Sequence, residues 1–416
     1  MRKFIHGLKH LTKKSLFFRI IVRGLVYIVK SIQYTAYFLK NKTHSKLVVF
    51  EAYMGRSYAC SPKALYEAML KDKAYDSFEF IWAFQNPEDY QFLKENRNTR
   101  LVKYSSGEYF KAYSRAKYWI SNSRIPLQIR RREDQAYIQT WHGTPLKKLG
   151  FDIETEGGNA MNSLRELRKK NNLDAGRYSC MLSPSAFCTE KFTSAFNLEK
   201  LHSKNIIVEK GYPRNDDLFR YDENDRKKVK AALGLSESKK VILYAPTWRD
   251  NQHETGLGYT YSPGLDFMRL QRELGSDYII LFRAHYFIAN DFDFEAYRGF
   301  VIDVSKYDDI NDLYIISDLL ITDYSSVFFD YANLKRPILF YMYDLDFYKN
   351  KLHDFYIELD GLPGDILQTE QELIYAVKKS DRGFCVDDKY TAFNRKFNYL
   401  DGPDTSAKVL KEIIGG

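Results

Sequence analysis

Short runs of apolar, β-branched and aromatic residues recur along the chain and alternate with longer segments whose apolar residues return every three or four positions. Continuous apolar runs of this length are typical of strands that are buried on both faces of a sheet. Their alternation with helical segments predicts parallel sheets covered by helices. The predicted strands are Leu47–Ala52, Phe78–Phe84, Tyr118–Ser121, Tyr137–Trp141, Ile206–Val208, Val241–Tyr244, Tyr278–Phe282, Phe300–Val304, Leu319–Thr322 and Pro337–Phe340.

The strands fall into two groups, and a turn at Gly211-Tyr212-Pro213 separates them. We therefore predict two Rossmann-like α/β domains that face each other, residues 47–210 and residues 211–416. Ligands of such sheets bind beyond the carboxyl ends of the strands, so the residues that follow each strand are the candidates for function. The predicted helices include Asn162–Asn172, Asp225–Leu235, Phe267–Leu274 and Asp404–Ile414.

The net charge of +9 is concentrated at the N-terminus. Residues 1–46 hold 11 basic and no acidic side chains, whereas residues 47–416 hold 52 basic and 54 acidic ones. Basic residues interrupt every apolar run in this segment, which argues against both a membrane span and a signal peptide. Its apolar residues form one helical stripe with basic flanks, and this pattern predicts a helix that lies on an anionic membrane. A helix that packs on the protein core or on a partner is the alternative. The stripe consists of Phe18, Ile21, Leu25, Ile28 and Ile32.

Several classes of protein are disfavoured by what the sequence contains. The four cysteines form no Cys-x-x-Cys pair, which indicates a reducing compartment with neither a zinc site nor a disulfide framework. There is no phosphate-binding P-loop, no dinucleotide fingerprint and no zinc-protease motif. Because the body of the chain is close to neutral, the basic segment is the only support for a nucleic-acid-binding protein.

His142 is the first candidate catalytic residue. It stands where the strand Tyr137–Trp141 ends and precedes Gly143, so we expect it to face the cleft. A histidine in that position can act as a general base near neutral pH. The glycine would allow the backbone to approach a ligand closely. The alternative is a histidine that only hydrogen-bonds the turn.

Arg283 and His285 follow the strand Tyr278–Phe282 in the same manner. The guanidinium group suits a phosphate, and the histidine could stabilise developing negative charge or protonate a leaving group. A surface ion pair beside a packed histidine is the alternative reading of this pair.

Ser325 and Ser326 follow the strand Leu319–Thr322 and are predicted to begin a helix. Free N–H groups, hydroxyls and the helix dipole favour an anion there, although serine also caps many helices without binding any ligand. Asp330 lies about one helical turn further on, where a carboxylate could accept hydrogen bonds from ribose hydroxyls. Phosphate and ribose sites at this spacing indicate a nucleotide.

Taken together, these segments resemble the CDP-glycerol glycerophosphotransferase family, which comprises teichoic acid primases and polymerases. The resemblance extends from about Phe50 to Tyr356. The motifs that carry it are Glu51…Gly55-Arg56-Ser57-Tyr58, Trp141-His142-Gly143-Thr144-Pro145-Leu146-Lys147, Gly211-Tyr212-Pro213-Arg214-Asn215-Asp216, Ala245-Pro246-Thr247-Trp248-Arg249, Arg283-Ala284-His285-Tyr286 and Thr322-Asp323-Tyr324-Ser325-Ser326-Val327-Phe328-Phe329-Asp330-Tyr331.

The resemblance implies a GT-B-like fold that binds CDP-glycerol, or the related CDP-ribitol, mainly in the second domain. It implies transfer of the polyol phosphate to a lipid-linked acceptor with release of CMP, at the cytoplasmic membrane face. We expect no cofactor and find no candidate metal ligands, and the sequence leaves open whether the reaction requires a metal. It assigns His142 as the catalytic base and His285 as a second essential histidine. The donor-site residues that it implies are Gly143, Thr144, Pro145, Arg214, Pro246, Thr247, Arg283, Ser325, Ser326 and Asp330.

Three other functions remain open at the level of sequence. A GT-B glycosyltransferase that uses a sugar nucleotide would share the cleft and the phosphate-binding helix start. A nucleic-acid-binding protein would use the basic segment, and a membrane-bound interaction module would carry an inactive site. The sequence also leaves open the polyol, the number of units added, the acceptor sugar and whether the chain forms a homo-oligomer.

Overall fold

The computed structural model of the protein describes residues 16–154, 163–247, 253–254, 258–259, 264–284, 294–345 and 355–415. The strands are β1 (His44–Glu51), β2 (Glu79–Phe84), β3 (Thr99–Lys103), β4 (Ala116–Ser121), β5 (Ala136–Gln139), β6 (Cys180–Ser183), β7 (Ile207–Glu209), β8 (Lys240–Ala245), β9 (His253–Glu254), β10 (Gly258–Tyr259), β11 (Tyr278–Phe282), β12 (Val301–Asp303), β13 (Leu319–Thr322), β14 (Ile338–Tyr341) and β15 (Asp365–Leu367).

The α-helices lie between these strands and cover both faces of the sheets. They are α1 (Leu16–Lys40), α2 (Cys60–Lys71), α3 (Gly107–Arg115), α4 (Leu164–Ala175), α5 (Ala186–Ala195), α6 (Leu198–Leu201), α7 (Asp217–Arg220), α8 (Glu223–Ala232), α9 (Phe267–Leu274), α10 (Ile310–Ile316), α11 (Val327–Tyr331), α12 (Glu370–Gly383), α13 (Asp388–Phe397) and α14 (Thr405–Ile413).

Two parallel sheets form the framework. The first has the strand order β3-β2-β1-β4-β5-β6-β7, and the second has the order β12-β11-β8-β13-β14-β15. When the small β9–β10 hairpin is left out, both repeat the doubly wound Rossmann order. The strand order therefore reverses between β1 and β4 in the first sheet and between β8 and β13 in the second. The predicted α/β class with two Rossmann-like, GT-B-like sheets is confirmed.

Each predicted strand and helix is present, with ends that differ by a few residues. Besides the two short strands of the β9–β10 hairpin, three of the described strands were not predicted. Two of them, β3 and β15, lie at sheet edges, where a strand needs only one neighbour and tolerates polar residues. The third, β6, reads Cys-Met-Leu-Ser and lacks the β-branched and aromatic residues that signal a strand.

Alternating residues of the central strands build the core on both faces of each sheet. In β1, Val48 and Phe50 pack against α2, while Val49 packs on the opposite face with α3 and with Tyr34 of α1. All four side chains are fully buried. Burial of such a side chain contributes roughly 1.5–3 kcal/mol relative to exposure.

The last helix returns to the first sheet. Val409 and Leu410 of α14 belong to the same apolar cluster as Val48 and Phe50. The carboxylate of Asp216 accepts hydrogen bonds from the first two N–H groups of α14, which fixes the start of this helix against the crossover between the two sheets. The end of the chain thus ties the two sheets together.

Candidate active site

A cavity of about 390 Å³ lies between the two sheets, beyond the carboxyl ends of their strands. The loops that follow β5, β8, β11 and β13 supply most of its wall, as expected for a doubly wound fold. Its lining residues are Trp141, His142, Gly143, Thr144, Pro145, Leu146, Lys147, Leu149, Ala245, Pro246, Thr247, Arg283, Ala284, Ile310, Tyr324, Ser325, Ser326 and Val327.

His142 lies on the wall that belongs to the first sheet. Its Nδ1 is 2.8 Å from the carbonyl oxygen of Asn122, at the end of the neighbouring strand β4. A carbonyl oxygen only accepts hydrogen bonds, so Nδ1 carries the proton and Nε2 of the neutral ring is left with its lone pair. Trp141 stacks on the imidazole, with 4.3 Å between the ring centres. The ring is thereby oriented with an available basic nitrogen.

The surroundings of His142 favour the neutral imidazole. Burial among protein atoms lowers the pKa of the ring, the Nδ1 hydrogen bond to Asn122 opposes this effect, and the nearby Arg214 guanidinium lowers the pKa further. The ring is nevertheless open to water in the cleft. Contact with water weakens the effect of burial, so both the protein and the solvent around the ring determine how far its pKa falls.

The Gly143–Pro145 segment brings the two halves of the cavity close together. A side chain at Gly143 would place its Cβ 3.3 Å from the Oγ of Ser326, which follows β13 of the second sheet. Glycine therefore permits a close approach between these two segments. The close approach to a ligand stays a prediction. Thr144 and Pro145 also line the cavity.

Asp323 connects the loops that follow β8 and β13. Its Oδ1 accepts hydrogen bonds from the N–H of Thr247 at 2.7 Å, from the hydroxyl of Thr247 at 2.6 Å and from the N–H of Tyr324 at 2.6 Å. This arrangement ties Thr247 to the loop that leads to Ser325, and both residues line the cavity. Sequence reasoning did not assign a role to Asp323, whose single oxygen organises this wall of the cavity.

Ser325 and Ser326 line the cavity at the start of the short helix α11. Ser326 occupies the N-cap position, but its side chain makes no capping hydrogen bond. The alternative that this serine only caps the helix therefore does not account for its hydroxyl, which faces Gly143.

Arg283 contributes a positive charge to the cavity wall. Its Nη1 donates hydrogen bonds to the carbonyl oxygens of Val304 at 3.1 Å and Tyr307 at 2.8 Å. Burial lowers the pKa of the guanidinium, but arginine remains charged at any relevant pH. Within the described part of the chain, no ion pair joins Arg283 to a carboxylate.

Arg214 and Asp330 lie beneath the cavity and are not among its lining residues. Nη2 of Arg214 forms a buried ion pair with Asp330, while Nη1 donates to the carbonyl oxygen of His142 at 2.6 Å. Asn215 donates to the other oxygen of Asp330 at 3.0 Å. In this structure the carboxylate predicted to hold a ribose is thus bound by two side chains of the protein.

The second predicted catalytic histidine, His285, lies outside the described residues, as do Trp248 and Arg249. The structure brings together eight of the predicted site residues as lining of one cavity, besides His142: Gly143, Thr144, Pro145, Pro246, Thr247, Arg283, Ser325 and Ser326. Among the residues that the structure describes, no cluster of His, Cys, Asp and Glu could hold a metal ion.

Comparisons with known proteins identify the family and the fold of the chain. The sequence model of the family described as CDP-glycerol:poly(glycerophosphate) glycerophosphotransferase matches residues 32–415. A teichoic acid poly(glycerol phosphate) polymerase of Bacillus spizizenii is 39% identical over 375 residues, which is 89% of this chain and 93% of that protein. The corresponding polymerase of Bacillus subtilis is 38% identical over 374 residues, and the chain spans 48% of its length.

A solved structure shows the same architecture over nearly the whole chain. The structure of the wall teichoic acid polymerase TagF superposes with a TM-score of 0.82 at 38% sequence identity, and the match covers 95% of this chain and 96% of that one.

Proposed function

Since the chain belongs to the CDP-glycerol:poly(glycerophosphate) glycerophosphotransferase family and is an enzyme that transfers glycerol phosphate from CDP-glycerol in teichoic acid synthesis, we propose that the transfer takes place in the cavity between the sheets with His142 as the general base. The observation that carries this proposal is the hydrogen bond from Nδ1 of His142 to the carbonyl of Asn122. It leaves Nε2 as a proton acceptor at the cavity wall.

In the proposed step, Nε2 of His142 takes the proton from an acceptor hydroxyl as its oxygen attacks the phosphorus that carries glycerol. A new oxygen–phosphorus bond forms, and the bond between that phosphorus and the oxygen shared with the CMP phosphate breaks. CMP leaves with the electron pair of the broken bond. The proton on the imidazole then passes to solvent, which restores the base for the next transfer.

The opposite wall supplies groups that suit the pyrophosphate of the donor. The hydroxyls of Ser325 and Ser326 can donate hydrogen bonds to its oxygens, and the Arg283 guanidinium offsets their negative charge. Thr247 lines the same wall, where its hydroxyl donates to Asp323. Positioning and charge neutralisation provide most of the catalysis in phosphoryl chemistry. The resemblance implies that His285 is a second essential histidine, and we assign it to charge stabilisation or leaving-group protonation.

The buried pair of Arg214 and Asp330 supports the floor of the site. Arg214 connects the backbone of His142 to Asp330 in the second sheet. We propose that Arg214 keeps the base in register with the donor wall, and that Asp330 accepts ribose hydroxyls when the donor is bound. Both proposals place these residues below the donor rather than beside its reacting phosphorus.

The test of this function is an assay with purified protein, a lipid-linked glycerol phosphate acceptor in detergent, and either CDP-glycerol or CDP-ribitol. We expect CMP release from CDP-glycerol and a product heavier by glycerol phosphate units in mass spectra. A product with one added glycerol phosphate indicates a primase, and a series of products with increasing numbers of units indicates a polymerase. Release of CMP from CDP-ribitol but not from CDP-glycerol would identify ribitol phosphate as the transferred group. Release of UDP from a sugar nucleotide, with no CMP from either donor, would establish the glycosyltransferase alternative.

The pH profile of the transfer follows from the environment of His142. Because the base must be unprotonated, kcat/KM should rise with pH through the pKa of the ring and then level off. Protein burial lowers this pKa from 6.5 to about 4, while water in the open cleft limits the effect, so we expect the acidic limb between these two values. A limb above pH 7 in initial rates of CMP release would contradict the assignment.

Helix α1 provides the basis for a proposal on membrane attachment. The helix packs on α3 through the buried Tyr34, and Nζ of Lys30 donates to the hydroxyl of Ser105 at 2.6 Å. Its other side exposes apolar side chains, among them Leu25, which is 57% exposed, and Ile32, which is 66% exposed. None of the helices in the described ranges combines the length and apolar character that a membrane span requires.

We propose that this exposed side of α1 lies on the cytoplasmic face of an anionic membrane, where the basic residues of the N-terminal segment add electrostatic attraction. Such attachment would place the cavity near a lipid-linked acceptor. The apolar positions that the sequence assigned to one stripe are exposed where their side chains are described: Ile21, Leu25, Ile28 and Ile32.

A double substitution tests the attachment. Leu25→Asp with Ile32→Asp should reduce sedimentation with phosphatidylglycerol vesicles at least tenfold, because each change removes apolar area and adds a charge that the anionic surface repels. The matched control is Leu173→Asp on α4, which is 50% exposed and should sediment like the wild type. Equal sedimentation of the double variant and the control would contradict the proposal.

A further inference from the structure

The turn that follows β1 has a backbone conformation that side chains normally avoid. Tyr53, Met54 and Gly55 have φ angles of +50°, +58° and +75°. Only the third of these residues is a glycine, so two consecutive residues with large side chains are held in the left-handed region. Strain of this kind persists where the surrounding structure determines the conformation, and it is concentrated at functional sites.

Side chains at the end of the neighbouring strand β4 hold this turn in place. The N–H of Tyr53 donates to Oδ1 of Asn122 at 2.8 Å, and the N–H of Met54 donates to the hydroxyl of Ser123 at 2.9 Å. The N–H of Gly55 closes the turn onto the carbonyl of Ala52 at 2.9 Å. The turn therefore lies where the strand order of the first sheet reverses, which is the position at which doubly wound sheets bind ligands.

Asn122 connects this turn to the catalytic base. Its side chain accepts the N–H of Tyr53, and its main-chain carbonyl accepts Nδ1 of His142 at 2.8 Å. As a result, the aromatic ring of Tyr53 contacts the imidazole edge to face, with 6.0 Å between the ring centres. One residue thus orients both the base and the tyrosine beside it.

The phenol of Tyr53 extends from the first sheet toward the second. It lies within electrostatic range of Cys60, Arg214 and Asp309, the last of which belongs to the second sheet's side of the cleft. Burial raises the pKa of the phenol well above its ordinary value, and the thiol of Cys60, with which the phenol forms a hydrogen bond, raises it further, so the hydroxyl keeps its proton. A thiol sulfur is only a weak hydrogen-bond acceptor.

From this geometry we infer that Tyr53 contacts the terminal glycerol phosphate of the acceptor and orients its hydroxyl toward Nε2 of His142. The inference rests on the proposed function. The groups proposed for the donor lie in the cavity wall formed with Thr247, Ser325 and Ser326, and Tyr53 is not part of that wall. A base between two substrates needs a second wall. A phosphodiester of the acceptor is a charged and therefore stronger hydrogen-bond acceptor than the Cys60 thiol, and would replace it as the partner of the Tyr53 phenol.

The test is Tyr53→Phe, which removes the hydroxyl and keeps the ring against His142. Steady-state CMP release is measured with CDP-glycerol and with an undecaprenyl-like lipid carrying glycerol phosphate, each varied in turn. We expect the KM for the acceptor to rise about tenfold, the effect of one lost hydrogen bond to a charged group, and the KM for CDP-glycerol to change less than twofold. Tyr58→Phe is the matched control, because its hydroxyl donates to Glu67 at 2.9 Å on the adjoining segment.

The results for Tyr53→Phe and for the wild type test the role of Tyr53 and the proposed function separately. An unchanged acceptor KM in Tyr53→Phe, or an equal rise in both KM values, overturns the assignment of Tyr53 while the wild-type enzyme remains active. A thermal unfolding midpoint like that of the wild type excludes misfolding as the cause of a raised KM. A wild-type protein that releases no CMP from CDP-glycerol overturns the proposed function and this inference with it.

Discussion

Replacing His142 with alanine should lower kcat/KM for CMP release by about 10²–10⁴-fold, the usual contribution of a general base. The imidazole is held by the carbonyl of Asn122 and by stacking on Trp141, and no other histidine among the described residues lines the cavity. Alanine removes the proton acceptor but leaves the serines and Arg283 of the donor wall in place. We therefore expect the KM for CDP-glycerol to change far less than kcat.

The matched control for this variant is His202→Ala. His202 also bonds a main-chain carbonyl, with Nε2 at 2.9 Å from the oxygen of Ala175, but it lies away from the cavity. Its removal should leave the rate of CMP release close to that of the wild type. If His142→Ala kept more than a tenth of the wild-type kcat at pH 7, His142 would not be the base, and His285 would be the next residue to test.

Replacing Arg214 with alanine should lower the free energy of unfolding by about 3–5 kcal/mol, because it leaves the carboxylate of Asp330 buried without its partner charge. Both side chains are about 6% exposed. The variant also loses the bond from Nη1 to the carbonyl of His142, so we expect a reduced kcat in the fraction that remains folded. Urea unfolding at pH 7 measures the first effect.

A double variant and a surface control separate the ion pair from a general loss of packing. Arg214→Met with Asp330→Leu removes both charges, and its loss of stability should be clearly smaller than that of Arg214→Ala. Arg100→Ala removes an exposed partner of Glu79 and should cost less than about 1 kcal/mol. If Arg214→Ala were no less stable than Arg100→Ala, the buried pair would not support the floor of the site.

Two neighbouring tyrosines show what could not be predicted from the sequence. Tyr53 and Tyr58 are the same type of residue and both follow β1, yet of the two only Tyr53 contacts the ring of His142. Its direction depends on a left-handed backbone that Asn122 and Ser123 stabilise from another strand. A local pattern carries no information on such a contact, so neither Tyr53 nor Asn122 was among the predicted site residues.

The class of fold and one wall of the cavity could be predicted from local sequence patterns. Apolar runs can be recognised locally because each must be buried on both faces, and the residues after them meet at one edge because parallel strands end on the same side. This was enough to predict His142, Gly143, Arg283 and the two serines as neighbours.

The residues beneath and beside that wall are placed by contacts between segments that are distant in the chain. Arg214 and Asp330 are far apart in the chain, and their pairing below the cavity follows from the packing of the crossover against α11. The edge strands β3 and β15 and the return of α14 to the first sheet also depend on partners distant in sequence. Burial makes such pairings specific, since a charge or an unpaired strand is stable in the interior only when a distant segment supplies its partner.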